Sequence, residues 1–386
     1  GAKDYPQMRR YVANAAYLSA AIALVLTVAT GFLCRDILTA MDTPADLFED
    51  ANAYIFVIFM GIPVVFLYNL LAAIIRALGD SRTPVYFLAL SAGLNIVLDL
   101  ACILLLNWGV AGAAIATVVS QAVSGVACLV YMVKKFPILQ ITREERRLSA
   151  DACKALCAMG LPMGLQYSIT AIGSIVMQTA VNGLGSVYVT AVATAGKVYQ
   201  LLACPFDAMG AAMATYCGQN VGAGELDRLP QGVRACSLLG LGYSAAALLA
   251  MIFFAPQCAM LFLSSADPQL GLLVGLTTQY IVIQTAFFFP LALVNILRFS
   301  IQGMGFSAFA ILAGVLEMIA RTVVGYFFVP GMGYTAACFA SPAAWICADL
   351  FLIPACLGCV AHLRRSNPTA SLETLSRRML KKTAKA

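Results

Sequence analysis

The chain has 386 residues, of which 61% are hydrophobic and 11% charged, against roughly 25% charged in an ordinary soluble domain. That composition excludes a soluble enzyme. The net charge of +6 sits in short loops without interleaved aromatics, which argues against a nucleic-acid partner, and one histidine, His362, offers no cluster for a triad or metal site.

Continuous apolar runs predict ten transmembrane helices, near 11–34, 51–75, 84–106, 110–133, 156–183, 188–217, 234–257, 273–299, 306–329 and 335–362. Each is long enough for a hydrocarbon core of roughly 30 Å. Period-two alternation, the mark of a membrane β-barrel, is absent from them. The predicted fold class is therefore an all-α polytopic membrane protein. About twenty Lys and Arg fall in one set of loops and Arg35 alone in the other, which faces outward with Asp42, Asp46, Glu49, Asp50 and Asp267. By the positive-inside rule this places both termini in the cytoplasm of a plasma (inner) membrane protein.

In chain order, residues 1–138 read as an amino-terminal lobe of four spans and 139–155 as a cytoplasmic linker, charged and solvated. Residues 156–366 read as a carboxy-terminal lobe of six spans, and 367–386 as a basic tail, either a surface helix on the inner leaflet or a disordered segment. Thirteen cysteines are scattered through the apolar runs as small hydrophobes, and Cys356 and Cys359 lack the second ligand pair of a zinc site.

The lobes repeat one another. Ile75-Arg76-Ala77-Leu78-Gly79 aligns with Ile301-Gln302-Gly303-Met304-Gly305, and Gly109-Val110-Ala111-Gly112-Ala113 with Gly333-Tyr334-Thr335-Ala336-Ala337. Gly1-Ala2 matches Gly222-Ala223, which two further spans precede. The pattern implies a twelve-helix plan of parallel repeats with four plus six helices present, the layout of several transporters. Pro63 and Pro290 fall at nearly corresponding positions, and a shared kink is expected there; Pro162 and Pro205 also fall inside spans.

Asn95 and Asp99 stand four apart in Leu94-Asn95-Ile96-Val97-Leu98-Asp99-Leu100, on one face of an apolar helix. An ionisable group there marks an ion or proton site, or else the pair ties the helix to a neighbour. Gln178 and Asn182, with Lys197 and Asp207 on the next span, could line a wet cavity or pair across helices. Glu317 and Arg321, one turn apart, read as a structural ion pair.

The segment Arg76-Ala77-Leu78-Gly79-Asp80-Ser81-Arg82-Thr83-Pro84 reads as a tight elbow, with Gly79 stopping one helix and Thr83 capping the next. Together with Asn95 to Asp99, Trp108 to Thr117 and Gly218-Gln219-Asn220-Val221-Gly222-Ala223-Gly224, it resembles the multidrug and toxic compound extrusion (MATE) family, in its DinF-like branch. The resemblance runs from Gly1 to about Arg365. It implies a monomeric antiporter without cofactor, in which inward proton or sodium movement drives export of small organic, mostly cationic compounds through a cavity between two lobes. In that branch the ion is bound by an Asp on the first helix, which has no counterpart here, and by an Asn and an Asp on the fifth and a Thr on the sixth. Asn95, Asp99 and Thr117 match the last three, with no metal implied beyond a sodium ion at Asp99. The positions used by the NorM-like branch fall near Thr170 and Leu291, which carry no charge. The alternatives are a lipid-linked oligosaccharide flippase of the same superfamily, or an inactive fragment. An intramembrane enzyme has neither a G-x-S-x-G motif nor paired Asp clusters to support it.

Overall fold

A computed structural model describes residues 2–40, 47–264 and 268–366. The basic tail, Asp42, Asp46 and Asp267 lie outside the described residues. Eight helices are long and apolar enough to cross a membrane, and two bent pairs bring the spans among the described residues to ten. The chain forms two compact units, Asp4–Leu156 and the chain from Cys157 onward.

The first unit contains α1 (Tyr5–Ala40), α2 (Phe48–Met60), α3 (Ile62–Ala77), α4 (Arg82–Leu100) and α5 (Gly109–Lys135). Helix α5 packs against α2, α3 and α4. It carries a buried stripe of small residues, Gly112, Ala116, Ser120, Ser124 and Cys128, at four-residue spacing. Where lipid is as apolar as leucine, close backbone approach and interhelical hydrogen bonds hold helices together, and small side chains permit both. Ser124 accordingly donates to Phe87 O at 2.8 Å.

In the elbow between α3 and α4 the capping acceptor is Asp80, and Thr83 is not the cap expected from sequence. Asp80 Oδ1 accepts from the backbone N–H groups of Arg82 and Thr83, while Oδ2 accepts from Thr83 Oγ1 at 2.6 Å and Tyr131 OH at 2.8 Å. A carboxylate offers about four acceptor sites on two oxygens, a threonine hydroxyl about two on one. The Thr83 bonds, helped by Tyr131, hold the Asp80 carboxyl below its ordinary range.

The linker is not simply solvated. Arg9, on the first turns of α1, donates from Nε and Nη2 to Glu145 at 2.7–2.9 Å and from Nη1 to Ile138 O at 3.3 Å. Buried Asn14 accepts from the Ser149 backbone N–H at 2.9 Å and donates to Arg10 O at 2.8 Å. The Arg9 hydrogen bond lowers the Glu145 carboxyl from the ordinary 4.5 to about 2. A depressed carboxylate contributes its stability above the unfolded value and loses it as pH falls towards the folded one. Linker docking is therefore expected to be constant from about pH 5 to 8 and to loosen as pH falls from about 4.5 towards 2. Hydrogen exchange of the backbone at 142–149 checks this: protection that changes between pH 6 and 8 contradicts it.

The second unit contains α6 (Ala150–Asn182, which begins before Cys157), α7 (Ser186–Gly222), α8 (Arg228–Met260), α9 (Leu270–Ala286), α10 (Phe288–Gly303), α11 (Ala308–Val323), α12 (Val329–Met332) and α13 (Tyr334–Ser366). Helix α10 is its centre, packed on α7, α8 and α13, with Phe288, Ile296 and Ile301 fully buried. Cys356 and Cys359 pack into the same apolar core, and Trp345 stacks on Tyr199 with centroids 6.1 Å apart.

The repeat is visible in the backbone. The chain bends by 42° between α2 and α3 and by 49° between α9 and α10. Pro63 and Pro290 lie just beyond these breaks, where each removes an N–H that would have continued the helix. Pro162 and Pro205, by contrast, sit inside the continuous helices α6 and α7. Gly79 and Gly305 have φ of +97° and +98°, and Gly109 and Gly333 of +58° and +63°. Such left-handed turns suit glycine, which has no Cβ to clash. A five-residue π-helical turn follows α4 at Ala101–Leu105 and another follows α11 at Val324–Phe328.

Candidate ion and substrate sites

In the first unit, α4 and α5 bring Asn95 and Thr117 together. Asn95 Nδ2 donates to Thr117 Oγ1 at 3.3 Å, and Thr117 donates to Ala113 O at 3.0 Å. Asn95 thus spends its amide nitrogen on α5, which leaves its oxygen for another donor or a cation. The pair lines a cavity of about 330 Å³ between α3, α4 and α5, together with Asn69, Ser91 and Gln121. Those three were missed in the sequence, although small polar residues at helical spacing within apolar spans were a usable signal.

Asp99 lies one turn beyond Asn95, about 6 Å further along the axis, and does not line that cavity. Its Oδ1 is buried with no hydrogen-bond partner, and the π-helical turn begins two residues later. No hydrogen bond joins it to Asn95 or Thr117. A carboxylate oxygen left unsatisfied in an apolar helix is costly unless it is protonated or meets a cation. The available chemistry is a carboxylate, a carboxamide oxygen and a hydroxyl, which are hard oxygens suited to sodium or to a proton on the acid.

In the second unit, Glu317 and Arg321 on α11 form an ion pair, Oε2 to Nη2, at 3.2 Å. A third member was missed: Arg298 on α10, only 7% exposed, donates from Nη2 to Glu317 Oε1. Its Nη1 and Nε donate to the Gln166 amide oxygen at 3.0 and 3.1 Å, and the other end of that amide lies 3.0 Å from the Gln302 amide. The signal was present in Ile296-Leu297-Arg298-Phe299, since a cation within an apolar span needs a partner. Its partner lies 19 residues away, beyond the reach of local spacing.

Gln178 and Asn182 bond one another, Nε2 to Oδ1 at 2.8 Å, and both are exposed. Lys197 and Asp207 on α7 are also exposed and form no ion pair with each other; the Lys197 ammonium rests 5.5 Å above the Phe262 ring. Near the expected outer end, Arg35 pairs with Glu49 and stands 5.6 Å over Phe48.

Ten apolar spans, two compact helical units and polar groups held inside them define a multi-pass membrane transporter fold. The MatE family model matches residues 1–101 and 162–327, and the chain belongs to that family. It is 28% identical over 328 residues to "Probable multidrug resistance protein YpnP" of Bacillus subtilis (strain 168), covering 84% of this chain and 71% of that protein. To "Probable multidrug resistance protein YoeA" of the same organism it is 27% identical over 274 residues, 69% of this chain and 59% of the relative. Among solved structures, an outward-facing multidrug resistance MATE family transporter of the MOP superfamily superposes with a TM-score of 0.88 at 21% identity, over 95% of this chain and 81% of that one.

Proposed function

We propose that this chain belongs to the DinF-like branch of the family and is a proton- or sodium-coupled antiporter of the plasma membrane. It exports small organic compounds, cationic ones foremost, by alternating access, and needs no cofactor. In this reading both termini are cytoplasmic, and the ion site comprises Asn95, Asp99 and Thr117. The observation that carries it is the buried, unpartnered Asp99 oxygen one turn from the Asn95–Thr117 bond. Family membership and the names of the relatives support export of toxic compounds. The flippase reading is weaker. A diphosphate headgroup wants several free cations deep in the spans, whereas Arg298 is bonded to Glu317 and Gln166 and Arg321 is paired with Glu317.

The test is ion-driven efflux of a fluorescent organic cation from membrane vesicles containing the chain or its Asp99→Asn variant. Linked sites alter one another's affinity by about 5–150-fold, so the variant is expected to lose at least about fivefold of ion-driven efflux while its membrane level is unchanged. Efflux equal to that of the parent protein removes Asp99 from the ion site.

A further inference from the structure

The carboxy-terminal unit holds a second cavity that the ion site does not use, about 180 Å³ in volume, lined by Ser174, Gln178, Tyr280, Arg321 and Ser341 among apolar neighbours. Drug-sized ligands occupy roughly 300–1,000 Å³, so this space suits a small group. Arg321 is 93% buried by its 7% exposure, and its Nη1 has no hydrogen-bond partner. Each nitrogen of the other guanidinium in the cluster has a partner: Arg298 gives Nη2 to Glu317, and Nη1 and Nε to Gln166. Glu317 is shared between two arginines, one carboxylate against two guanidiniums. The cluster's other acid, Asp349, interacts with Arg298 and Glu317. Arg321, which lines the cavity, is thus the guanidinium of the cluster with a nitrogen left without an acceptor.

A buried N–H of a charged group with no acceptor is costly, and an oxyanion relieves that cost with a charge-assisted bond. We infer that this cavity binds the carboxylate of a small organic monocarboxylate, held by Arg321 Nη1 with the hydroxyls of Tyr280 and Ser341 as further donors. A monoanion matches the single free guanidinium edge, whereas a phosphate dianion would need a second cation. This site goes beyond the cationic substrates proposed above, and its test reads binding alone, so it stands or falls apart from the Asp99 result.

The experiment is titration of the purified full chain in detergent with benzoate, followed by calorimetry. Saturable binding is expected, displaced by propionate and not by benzylamine. Arg321→Gln, which leaves Glu317 paired with Arg298, should weaken binding at least tenfold. Ser341→Leu, which fills the cavity and leaves every charge in place, should do the same, and it keeps the test decisive if the arginine variant fails to fold. Absence of saturable benzoate binding overturns the inference, as does displacement by benzylamine or undiminished binding in Ser341→Leu. Inorganic phosphate displacing benzoate at lower concentration than propionate overturns the choice of a monocarboxylate.

Discussion

Glu317→Gln is expected to destabilise the carboxy-terminal unit by about 3–5 kcal/mol, the usual cost of removing one partner from a buried ion pair. The side chain keeps its shape and loses its charge, so the loss reports electrostatics rather than packing. Both guanidiniums then lose the carboxylate that bonds them: Arg298, from which Glu317 Oε1 accepts, and Arg321, 3.2 Å from Oε2. Equilibrium unfolding in mixed micelles measures the effect. Replacing all three charges together (Arg298→Met, Glu317→Leu, Arg321→Met) should recover most of it, because apolar substitutes of similar volume often match a buried ion cluster. A single-variant loss below about 1 kcal/mol would mean that water reaches the cluster and screens it.

Gly303→Ala is expected to cost about 1–3 kcal/mol or more, a large effect for one methyl group. A Cβ at Gly303 would meet Ala214 O on α7 and lie 2.9 Å from Ala214 Cα. Both are backbone atoms and cannot rotate aside, so α7 and α10 would have to part at this contact. Ala214→Gly should not rescue the variant, since it leaves those backbone atoms in place. Gly164→Ala in α6 is the control: nothing lies within 4 Å of its Cβ position, and exchanging an open helical glycine for alanine should gain about 0.5–1 kcal/mol. Equal thermal stability of Gly303→Ala and the parent protein would refute the close approach.

These two sites differ in how far the sequence announced them. The spans were legible because lipid demands long uninterrupted apolar runs, and the repeat because Gly79, Gly109, Gly305 and Gly333 hold backbone turns that few other residues tolerate. Pro63 and Pro290 pointed to the bends, yet nothing in the sequence separated them from Pro162 and Pro205, which lie within continuous helices. The Asn95–Thr117 bond joins residues 22 apart on different helices, and only the family resemblance brought them together. Arg298 was hidden by its distance in sequence from Glu317. Glu145 was misread for the same reason: its partner Arg9 lies 136 residues away, and a charged stretch whose partners are remote looks solvated. The π-helical turns left no trace, since one extra residue barely alters an apolar pattern.

Those turns change the phase of the helices that contain them. One inserted residue rotates everything beyond it by about 100° relative to an unbroken α-helix. In the first unit the extra residue falls between Asp99 and the turn at Asn107 to Gly109. The face bearing Asn95 and Asp99 and the direction in which the chain leaves the helix are therefore set independently. The second copy uses the same rotation after Arg321, with an acid and an arginine on the helix where the first has a carboxamide and a carboxylate. A duplicated backbone with a built-in offset lets the two copies diverge in charge without either having to re-aim its exit loop.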